Sequence, residues 1–278
     1  MLSFLIGGAL LFMGAFFLIL FISMRCFQIH HKQVYYRTLP PKLGGLKILQ
    51  LSDLHNRSQS SKTIDIWDAV FAESFDLAVI TGDLIFGHVD HLRPHFADLQ
   101  KLAKRVPTFF VEGNHDVKYA NQLTTLMSQL NITYLKNDCL TIQLDGFDDT
   151  FDLIGTRDFI VLQRSGFADL APLMQRSHAA FKLILTHQPQ TFDYFKSHIQ
   201  NALVLSGHTH GGQIRLPFVK TLFAPNQGIF PKYGAGFYDD PSRTSMLYVS
   251  RGIGATRFPF RFWNRPEITI FELKKGEL

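Results

Sequence analysis

The hydrophobic pattern divides the chain into one uninterrupted apolar segment and a longer region of alternating elements. Residues 2–24 contain no charged side chain, and Arg25 is the first. At about 1.5 Å of rise per residue, this run is long enough to cross a hydrocarbon core of about 30 Å. A cleaved signal peptide is the alternative, but no Lys or Arg precedes the run and no A-x-A-like site follows it. The pattern predicts a retained transmembrane anchor over residues 1–24.

The residues that follow this segment carry positive charge. Arg25, Lys32, Arg37 and Lys42 lie behind the apolar run, whereas the short N-terminal side has only its terminus. The positive-inside rule therefore predicts a single-pass protein of the cell membrane with its soluble domain in the cytoplasm. Residues 25–44 are mixed in character and contain two consecutive prolines, which is typical of a tether. We expect the folded domain to occupy residues 45–278.

Short apolar runs alternate with amphipathic stretches through this second region. The pattern predicts strands within 46–53, 76–83, 108–116, 151–158, 181–187, 202–210 and 245–252. It predicts helices over 61–74, 90–104, 117–129, 167–176 and 190–199. In the first helix, Ile64, Trp67, Phe71 and Phe75 recur at helical spacing, which indicates a stripe facing the core. Together these elements predict a layered α/β domain.

Composition and charge narrow the possible classes of protein. A chain of 278 residues with 46% hydrophobic content can bury a sizeable core. Cys26 and Cys139 form no CxxC pattern, so neither a disulfide framework nor a thiolate metal site is predicted. The net charge of +5 favours anionic partners such as phosphate esters, nucleic acid or lipid headgroups. Because no clustered Lys/Arg run or nucleic-acid module is present, we expect no nucleic-acid partner.

Residue types that bind metals directly follow five of the predicted strands. They are Asp53 and His55, Asp83, Asn114 with His115 and Asp116, His187, and His208 with His210. Each alone has an ordinary explanation, such as a turn, a helix cap or a structural histidine. Because strand ends of an α/β sheet open onto one crevice, the whole set can converge.

The chemistry of this set suits a pair of divalent ions. Histidine nitrogen with Asp and Asn oxygen suits Zn, Mn or Fe, and the set contains no Cys of the kind that closes structural zinc sites. Two neighbouring ions need a bridging carboxylate to hold them about 3.5–4 Å apart, and Asp83 suits that role. The residues therefore predict a binuclear metal centre.

This ordered set resembles the calcineurin-like metallophosphoesterase superfamily over residues 46 to about 215, and within it the bacterial membrane-associated branch. The resemblance rests on S-D-L-H at 52–55, T-G-D at 81–83, G-N-H-D at 113–116 and S-G-H-T-H-G-G-Q at 206–213, with S-R-G-I-G at 250–254 and N-R-P-E at 264–267. It implies a four-layered α/β/β/α sandwich. It also implies two ligand sets, Asp53, His55, Asp83 and His210 for one ion, and Asp83, Asn114, His187 and His208 for the other.

The resemblance implies hydrolysis of a phosphodiester, phosphomonoester or pyrophosphate bond by water that two ions activate. The family's use of G-N-H-D implies that His115 is a general acid or transition-state stabiliser near the substrate. Asp116 is then expected either to orient His115 or to cap the helix from Val117, and one carboxylate can do both. His88, His91 and His95 are expected to be solvated or substrate-facing rather than a second metal site.

The substrate is less closely specified. Residues 257–265 alternate aromatic and cationic side chains, which suits a membrane interface but also an edge strand with its phenylalanines in the core. With the predicted anchor, this favours a lipid-linked substrate. Similar membrane-associated members of the family include one that cleaves a UDP-linked diacylglucosamine, although nothing here identifies UDP or glucosamine. The alternatives are a water-soluble phosphodiester, a non-catalytic scaffold, and a nuclease supported only by the basic charge.

Overall fold

The computed structural model describes residues 2–55, 66–212, 214–216, 220–224, 227–239, 244–254 and 261–276. Its α-helices are α1 (Leu2–Arg25), α2 (Ile66–Ala72), α3 (Phe96–Arg105), α4 (Ala120–Gln129), α5 (Phe159–Ser165), α6 (Leu170–Gln175) and α7 (Phe192–Phe195). Short 3-10 helices cover Pro41–Leu43, Val89–His95, Val117–Tyr119, Pro189–Thr191 and Lys196–His198.

One six-stranded sheet has the order β1 (Gln28–Tyr36), β16 (Glu267–Lys275), β2 (Lys47–Leu51), β3 (Leu77–Thr81), β4 (Thr108–Val111) and β5 (Thr133–Tyr134). Strands β2 to β5 run parallel to one another, whereas β16 is antiparallel to β2 and parallel to β1. The carboxyl ends of β2, β3 and β4 therefore lie at one edge, where polar residues that follow these strands come together.

The second six-stranded sheet has the order β14 (Gly236–Asp239), β15 (Ser245–Val249), β9 (Ala202–Ser206), β8 (Lys182–Leu185), β7 (Phe151–Gly155) and β6 (Asp138–Ile142). Its four central strands are parallel, and both edge strands are antiparallel to their neighbours. In the order of the chain, two small antiparallel ribbons follow β9 and precede β14. They are β10 (Arg215–Leu216) with β11 (Lys220–Thr221), and β12 (Phe223–Ala224) with β13 (Gly228–Ile229).

Three clusters of buried apolar side chains hold these elements together. The first contains residues of both sheets, such as Ile48 and Leu203. The second packs the first sheet against α2, α3 and α4, and the third packs the second sheet against α5, α6 and α7. Gln50 joins the sheets below the strand ends, since its amide donates to Thr81 Oγ1 and to the carbonyl of Ser206, both at 3.0 Å. The result is a mixed α/β domain with two sheets that share a core.

Each of the seven apolar runs predicted from the sequence contains a strand. These are β2, β3, β4, β7, β8, β9 and β15. Helices also form within the five predicted ranges, although residues 61–65 of the first range, with Ile64, lie outside the described residues. Trp67 and Phe75 are buried in the second cluster, as the helical stripe predicted.

The predicted tether over residues 25–44 is where the structure differs most from the sequence interpretation. Strand β1 pairs with β16 along its whole length, with Val34 opposite Leu273. Val34, Leu39 and Leu43 are buried in the core between the sheets. The expected boundary near Gly45 is therefore wrong, and the folded part begins at Gln28. The four consecutive polar residues at 30–33 hid this strand, since they break the alternation of apolar and polar side chains.

Because β1 belongs to the sheet, truncating its buried side chain should destabilise the domain. We expect Val34→Ala to lower the free energy of unfolding by about 2 kcal/mol, as is usual when buried methyl groups are removed. Gln33→Ala, at an exposed position of the same strand, should change it by less than about 0.5 kcal/mol. Urea unfolding of the full chain in detergent measures both values, and equal effects would contradict the role given to β1.

Helix α1 contains a stretch, Ile6–Ser23, that is long and apolar enough to cross a membrane. Only 6% of that stretch is buried within the described part of the chain. Helix α1 leads almost directly into β1, with Cys26 and Phe27 between them. The apolar segment predicted from the sequence is therefore a single continuous helix.

Candidate active site

The predicted metal-binding residues meet at the carboxyl ends of five strands, three in the first sheet and two in the second. Asp53 and His55 follow β2, Asp83 follows β3, Asn114 follows β4, His187 follows β8, and His208 and His210 follow β9. Their side chains form two buried groups, one of Asp53, His55 and His210 and the other of Asp83, His187 and His208. Within each group the potential ligand atoms all lie within 4.8 Å of one another.

Asp83 lies between the two groups. Its Oδ2 is 3.5 Å from His55 Nε2 in the first group and 3.4 Å from His187 Nε2 in the second. Asn114 joins the second group, since its Oδ1 lies 3.2 Å from His187 Nε2. In the first group, His210 Nε2 lies 3.3 Å from Asp53 Oδ1. The structure therefore brings the residues of the two implied ligand sets together, with Asp83 between them.

The backbone at these positions adopts a conformation that most side chains avoid. Five of the seven residues have positive φ values, from 45° to 70°: Asp53, His55, Asp83, His208 and His210. Such left-handed conformations cost free energy for residues other than glycine and are concentrated at functional sites. The chain therefore maintains local strain where the potential ligands converge.

Two glycines allow the strand ends to approach each other closely. A Cβ atom at Gly113 would collide with the carboxylate of Asp83, and one at Gly207 would collide with Ser52 and Asp53. Ser52 donates from Oγ to Asp53 Oδ2 at 2.6 Å, and the backbone N–H of His208 donates to both oxygens of Asp53 at 3.1 Å. Asp53 is thus held by its neighbours in one orientation.

Hydrogen bonds also fix the orientation of His187. Its Nδ1 donates to the carbonyl of Thr81 at 2.8 Å, so Nε2 is directed towards Asp83 and Asn114. A histidine ligand is commonly held in this way by a carbonyl that accepts from its second nitrogen. The ring therefore directs Nε2 towards the second ligand group.

Burial controls the charge of the histidines. It lowers the pKa of His55 to about 4 and that of His208 to about 3, and it also lowers the pKa of His210. These imidazoles are neutral at neutral pH, which is the form that binds a metal ion. Burial acts against charge at His187 as well, but the carboxylate of Asp83 raises the pKa of His187 well above its usual value.

Burial and neighbouring charges also shift the pKa values of Asp53 and Asp83. Burial raises the pKa of Asp53 to about 6, although His187 acts in the opposite direction. For Asp83, burial is outweighed by the attraction of His187, which keeps its pKa below the usual value. Without ions, the pair of Asp83 and His187 balances charge within the site. Buried oxygen and nitrogen donors in two adjacent groups, with a shared carboxylate, fit two divalent ions.

If these residues bind metal, removing it should make the protein less stable. At free Mn²⁺ about a hundredfold above its Kd, binding to the folded state adds about 2.7 kcal/mol. For a chain of this size that corresponds to a rise in Tm of about 5–10 °C over chelator-treated protein. Thermal unfolding of the full chain in detergent measures this shift. An unchanged Tm with Mn²⁺, Zn²⁺ and Fe²⁺ would contradict metal binding at this site.

His115 lies at the mouth of the site. Its side chain is 40% exposed, its Nε2 lies 4.0 Å from Asp83 Oδ2, and its ring contacts those of His55 and Phe86. Its backbone N–H donates to Asp83 Oδ1 at 2.9 Å. His115 is therefore next to the shared carboxylate and open to solvent, where a substrate can reach it.

The side chain of Asp116 makes different contacts from those expected. Its carboxylate accepts from the backbone N–H groups of Leu84, Ile85 and Gly113 at 3.0–3.2 Å. The side chain makes no capping hydrogen bond to the 3-10 helix that begins at Val117, so the predicted cap is wrong. Among the described contacts none joins Asp116 to the ring of His115. Asp116 instead ties the loop after β3 to the loop after β4.

His88, His91 and His95 differ in their exposure to solvent. His88 and His91 are exposed beside the loop after β3, in agreement with the expected solvated positions. His95 is buried, and its Nδ1 accepts from the indole N–H of Trp67 at 3.1 Å. The expectation was therefore wrong for His95, which is a core residue because Trp67 supplies a buried donor. No grouping of these three as metal ligands occurs among the described residues.

Two residues beyond the predicted set support His210. Arg261 donates from its guanidinium to His210 Nδ1 at 3.1 Å, and Asn264 donates from Nδ2 to the carbonyl of His210 at 2.7 Å. Neither Arg261 nor Asn264 was predicted to contact the metal-binding residues, although Asn264 belongs to the N-R-P-E stretch that carries the resemblance. Residues 257–260 lie outside the described residues. Arg261 is buried, whereas the edge-strand alternative placed the arginines in water.

Comparison with known proteins agrees with this geometry. The model of the calcineurin-like phosphoesterase family matches residues 46–212. A metallophosphoesterase of Bacillus subtilis, YkuE, is 34% identical over 249 residues, which cover 85% of this chain and 82% of the relative. The phosphodiesterase YaeI of Escherichia coli is 30% identical over 253 residues, which cover 88% of this chain and 87% of the relative. The chain therefore belongs to the calcineurin-like phosphoesterase family and is a hydrolase.

One eukaryotic relative is named as a transmembrane protein that contains a metallophosphoesterase domain. The bovine "Transmembrane protein with metallophosphoesterase domain" is 33% identical over 245 residues, which cover 83% of this chain. The match covers 53% of the bovine protein, so this chain spans about half of its length. The match to a Helicobacter pylori metallophosphoesterase likewise covers 60% of that relative.

Proposed function

We propose that this protein hydrolyses a phosphodiester or pyrophosphate bond in a lipid-linked substrate, with water activated by two divalent ions. The observation that carries the proposal is the position of Asp83, whose Oδ2 lies 3.4–3.5 Å from a histidine of each ligand group. A carboxylate shared between two groups of histidine nitrogens and Asp or Asn oxygens is the arrangement that two ions require. Mn, Fe and Zn all suit this donor set.

The residues of the site have distinct roles in this proposal. Divalent ions held there supply positive charge to the phosphate oxygens and lower the pKa of the attacking water. His115 donates a proton to the leaving oxygen from its exposed position at the mouth. The hydrogen bond from the backbone N–H of His115 to Asp83 holds the two residues at a constant separation. Asp116 positions both by holding together the loops that carry them.

Helix α1 supports the choice of a lipid-linked substrate, since an anchor holds the site close to the headgroups and raises their effective concentration. A headgroup joined by a pyrophosphate, as in a UDP-diacylglucosamine-like molecule, is one example of this class. The proposal also includes a single-pass location in the cell membrane, with the domain on the cytoplasmic side. A reporter at the C terminus that is active only outside the cell would contradict that orientation.

The proposed fold is the four-layered sandwich of the family. It is supported by the three apolar clusters, of which one joins the two sheets and the other two join each sheet to its helices.

The test is a hydrolysis assay on purified full-length protein in detergent. Chelator-treated protein is assayed on bis-p-nitrophenyl phosphate and p-nitrophenyl phosphate, and again after addition of Mn²⁺, Zn²⁺ or Fe²⁺. We expect metal to restore turnover, with the diester preferred, and a lipid-linked pyrophosphate to be cleaved in mixed micelles. Protein that binds metal yet cleaves none of these would instead be a scaffold. Cleavage of the small esters alone would refute the lipid-linked class.

A further inference from the structure

We propose that an aromatic rim beside the active site, formed by Ile229, Phe230, Phe262 and Trp263, enters the lipid bilayer and seats the mouth of the site on the membrane surface. The occupant of this surface is the acyl and headgroup boundary of the membrane that α1 crosses. The consequence for substrates rests on the function proposed above, whereas the contact with lipid can be measured independently of activity.

The first support is the contact between the rim and the anchor helix. The rings of Phe262 and Phe16 stack with centroids 4.9 Å apart and planes inclined by 26°. Phe16 precedes Arg25, the last residue of α1, by nine positions. At 1.5 Å per residue it therefore lies about 13 Å inside the helix. Phe16 also lies within the apolar stretch Ile6–Ser23, so this contact holds Phe262 against the part of α1 that faces lipid if α1 crosses the membrane.

A second set of contacts fixes the rim against the end of α1. The guanidinium of Arg265 donates to the carbonyls of Cys26 at 3.3 Å and Phe27 at 3.1 Å. The backbone N–H of Gln28 donates to the carbonyl of Pro266 at 2.8 Å. The segment that contains the rim is therefore attached both at the end of the anchor and further along it. Such a segment cannot turn away from the bilayer without breaking these bonds.

Backbone hydrogen bonds extend the rim sideways to the β12–β13 ribbon. Arg215 N–H donates to Phe262 O at 3.1 Å, Leu222 N–H to Ile214 O at 3.0 Å, and Phe230 N–H to Leu222 O at 2.9 Å. These three hydrogen bonds link four neighbouring chain segments from Phe262 to Phe230. The rim therefore extends from Phe262, which contacts α1, to the β12–β13 ribbon.

The side chains of this layer are unusually exposed. Trp263 is 53% exposed, and Ile229 and Phe230 are each 69% exposed. These are the three most exposed large apolar side chains among the described residues outside α1. Aromatic residues are enriched where membrane proteins meet the boundary between lipid and water. Because this apolar surface is next to a helix that can cross the membrane, the same membrane is the partner that it would contact.

The rim is also adjacent to a metal ligand. Arg261 and Asn264 flank Phe262 and Trp263 in the chain, and both hydrogen-bond to His210. A rim in the bilayer therefore brings the first ligand group to the membrane surface. A substrate can then present its phosphorus to the site while its acyl chains stay in the lipid, which favours esters next to a headgroup over soluble ones.

Tryptophan fluorescence tests the contact directly. The chain has two tryptophans, and Trp67 is buried in the second apolar cluster. In liposomes of phosphatidylcholine with brominated acyl chains, we expect the emission of the full-length protein to be strongly quenched. Trp263→Phe should remove most of the quenched component. Quenching of Trp263 by aqueous iodide but not by brominated lipid would overturn the proposal and favour a protein partner or an open surface.

A reporter at a different site provides the control. Leu140 is 36% exposed on β6, the edge strand at the opposite end of its sheet from β14. Leu140→Trp in the Trp263→Phe background should be quenched by iodide and much less by brominated lipid. Equal quenching by the lipid at both positions would overturn the proposal, because the signal would then not be specific to the rim.

Activity provides a second readout. Ile229→Ser with Phe230→Ser should lower hydrolysis of a lipid-linked pyrophosphate in liposomes about tenfold and leave bis-p-nitrophenyl phosphate unaffected. Leu140→Ser should change neither rate. Equal loss on both substrates would contradict a role in membrane seating. If the unmodified protein cleaved no ester at all, the proposed function would fail, while the fluorescence result would still decide whether the rim enters lipid.

Discussion

Replacing Asp83 by Asn is expected to lower metal-dependent hydrolysis at least about a hundredfold, since even residues that only support metal ligands contribute about 10–100-fold. The carboxylate lies within 3.5 Å of histidine nitrogens in both ligand groups and accepts the backbone N–H of His115. An amide offers one oxygen without charge and cannot offset two neighbouring cations. We therefore expect both turnover and bound metal to fall, as measured by ester hydrolysis and by elemental analysis.

The matched control is Asp145→Asn, which makes the same change at an exposed position in the loop after β6. It should retain full activity and metal content. Full activity of Asp83→Asn would be incompatible with a shared bridging carboxylate. Loss of activity with unchanged metal content would restrict the role of Asp83 to positioning His115.

The ligand residues could be predicted from the sequence because their positions follow a local rule. Each comes directly after a short apolar run, and such runs form parallel strands whose carboxyl ends meet. His208 and His210 follow β9 of the second sheet, whereas Asp53 follows β2 of the first, so the strand pattern only allowed them to converge and the resemblance assigned them to one site. What the sequence did not show is the positive φ of five of these residues, since Asp and His also occur widely in ordinary backbone conformations.

Long-range pairing accounts for most of what sequence reasoning missed. Strand β1 is stabilised by β16, which lies at the other end of the chain, and its outer half is polar. A pattern confined to residues 28–36 therefore resembles a linker. Arg261 and Asn264 were missed for a related reason, because they act on His210 from a loop that local periodicity does not describe.

Asp116 shows how one motif can be identified correctly while a role within it is not. The G-N-H-D segment places His115 at the mouth of the site, as expected from the resemblance. The aspartate is fully buried and accepts three backbone N–H groups from two loops. It acts on His115 only through the backbone that carries both residues. The sequence could not distinguish this from a helix cap, since both roles place a carboxylate after a strand.

His115→Ala is expected to lower kcat about a hundredfold or more on an ester with a poor leaving group, since general acid catalysis typically contributes about 10²–10⁴-fold. The side chain of His115 is 40% exposed, its Nε2 lies 4.0 Å from Asp83 Oδ2, and His115 is not among the seven candidate ligands. Bound metal should therefore be unchanged. The rate on p-nitrophenyl esters should fall less, because p-nitrophenolate leaves without needing a proton.

This dependence on the leaving group separates proton donation from other roles of His115. If the residue only stabilised charge on the transferred phosphoryl group, both kinds of ester would lose rate equally. If it were a metal ligand, metal content would fall as well. His198→Ala, at an exposed histidine elsewhere on the domain, controls for the loss of an imidazole and should change neither rate. A larger loss with the poor leaving group, at constant metal content, identifies His115 as the acid.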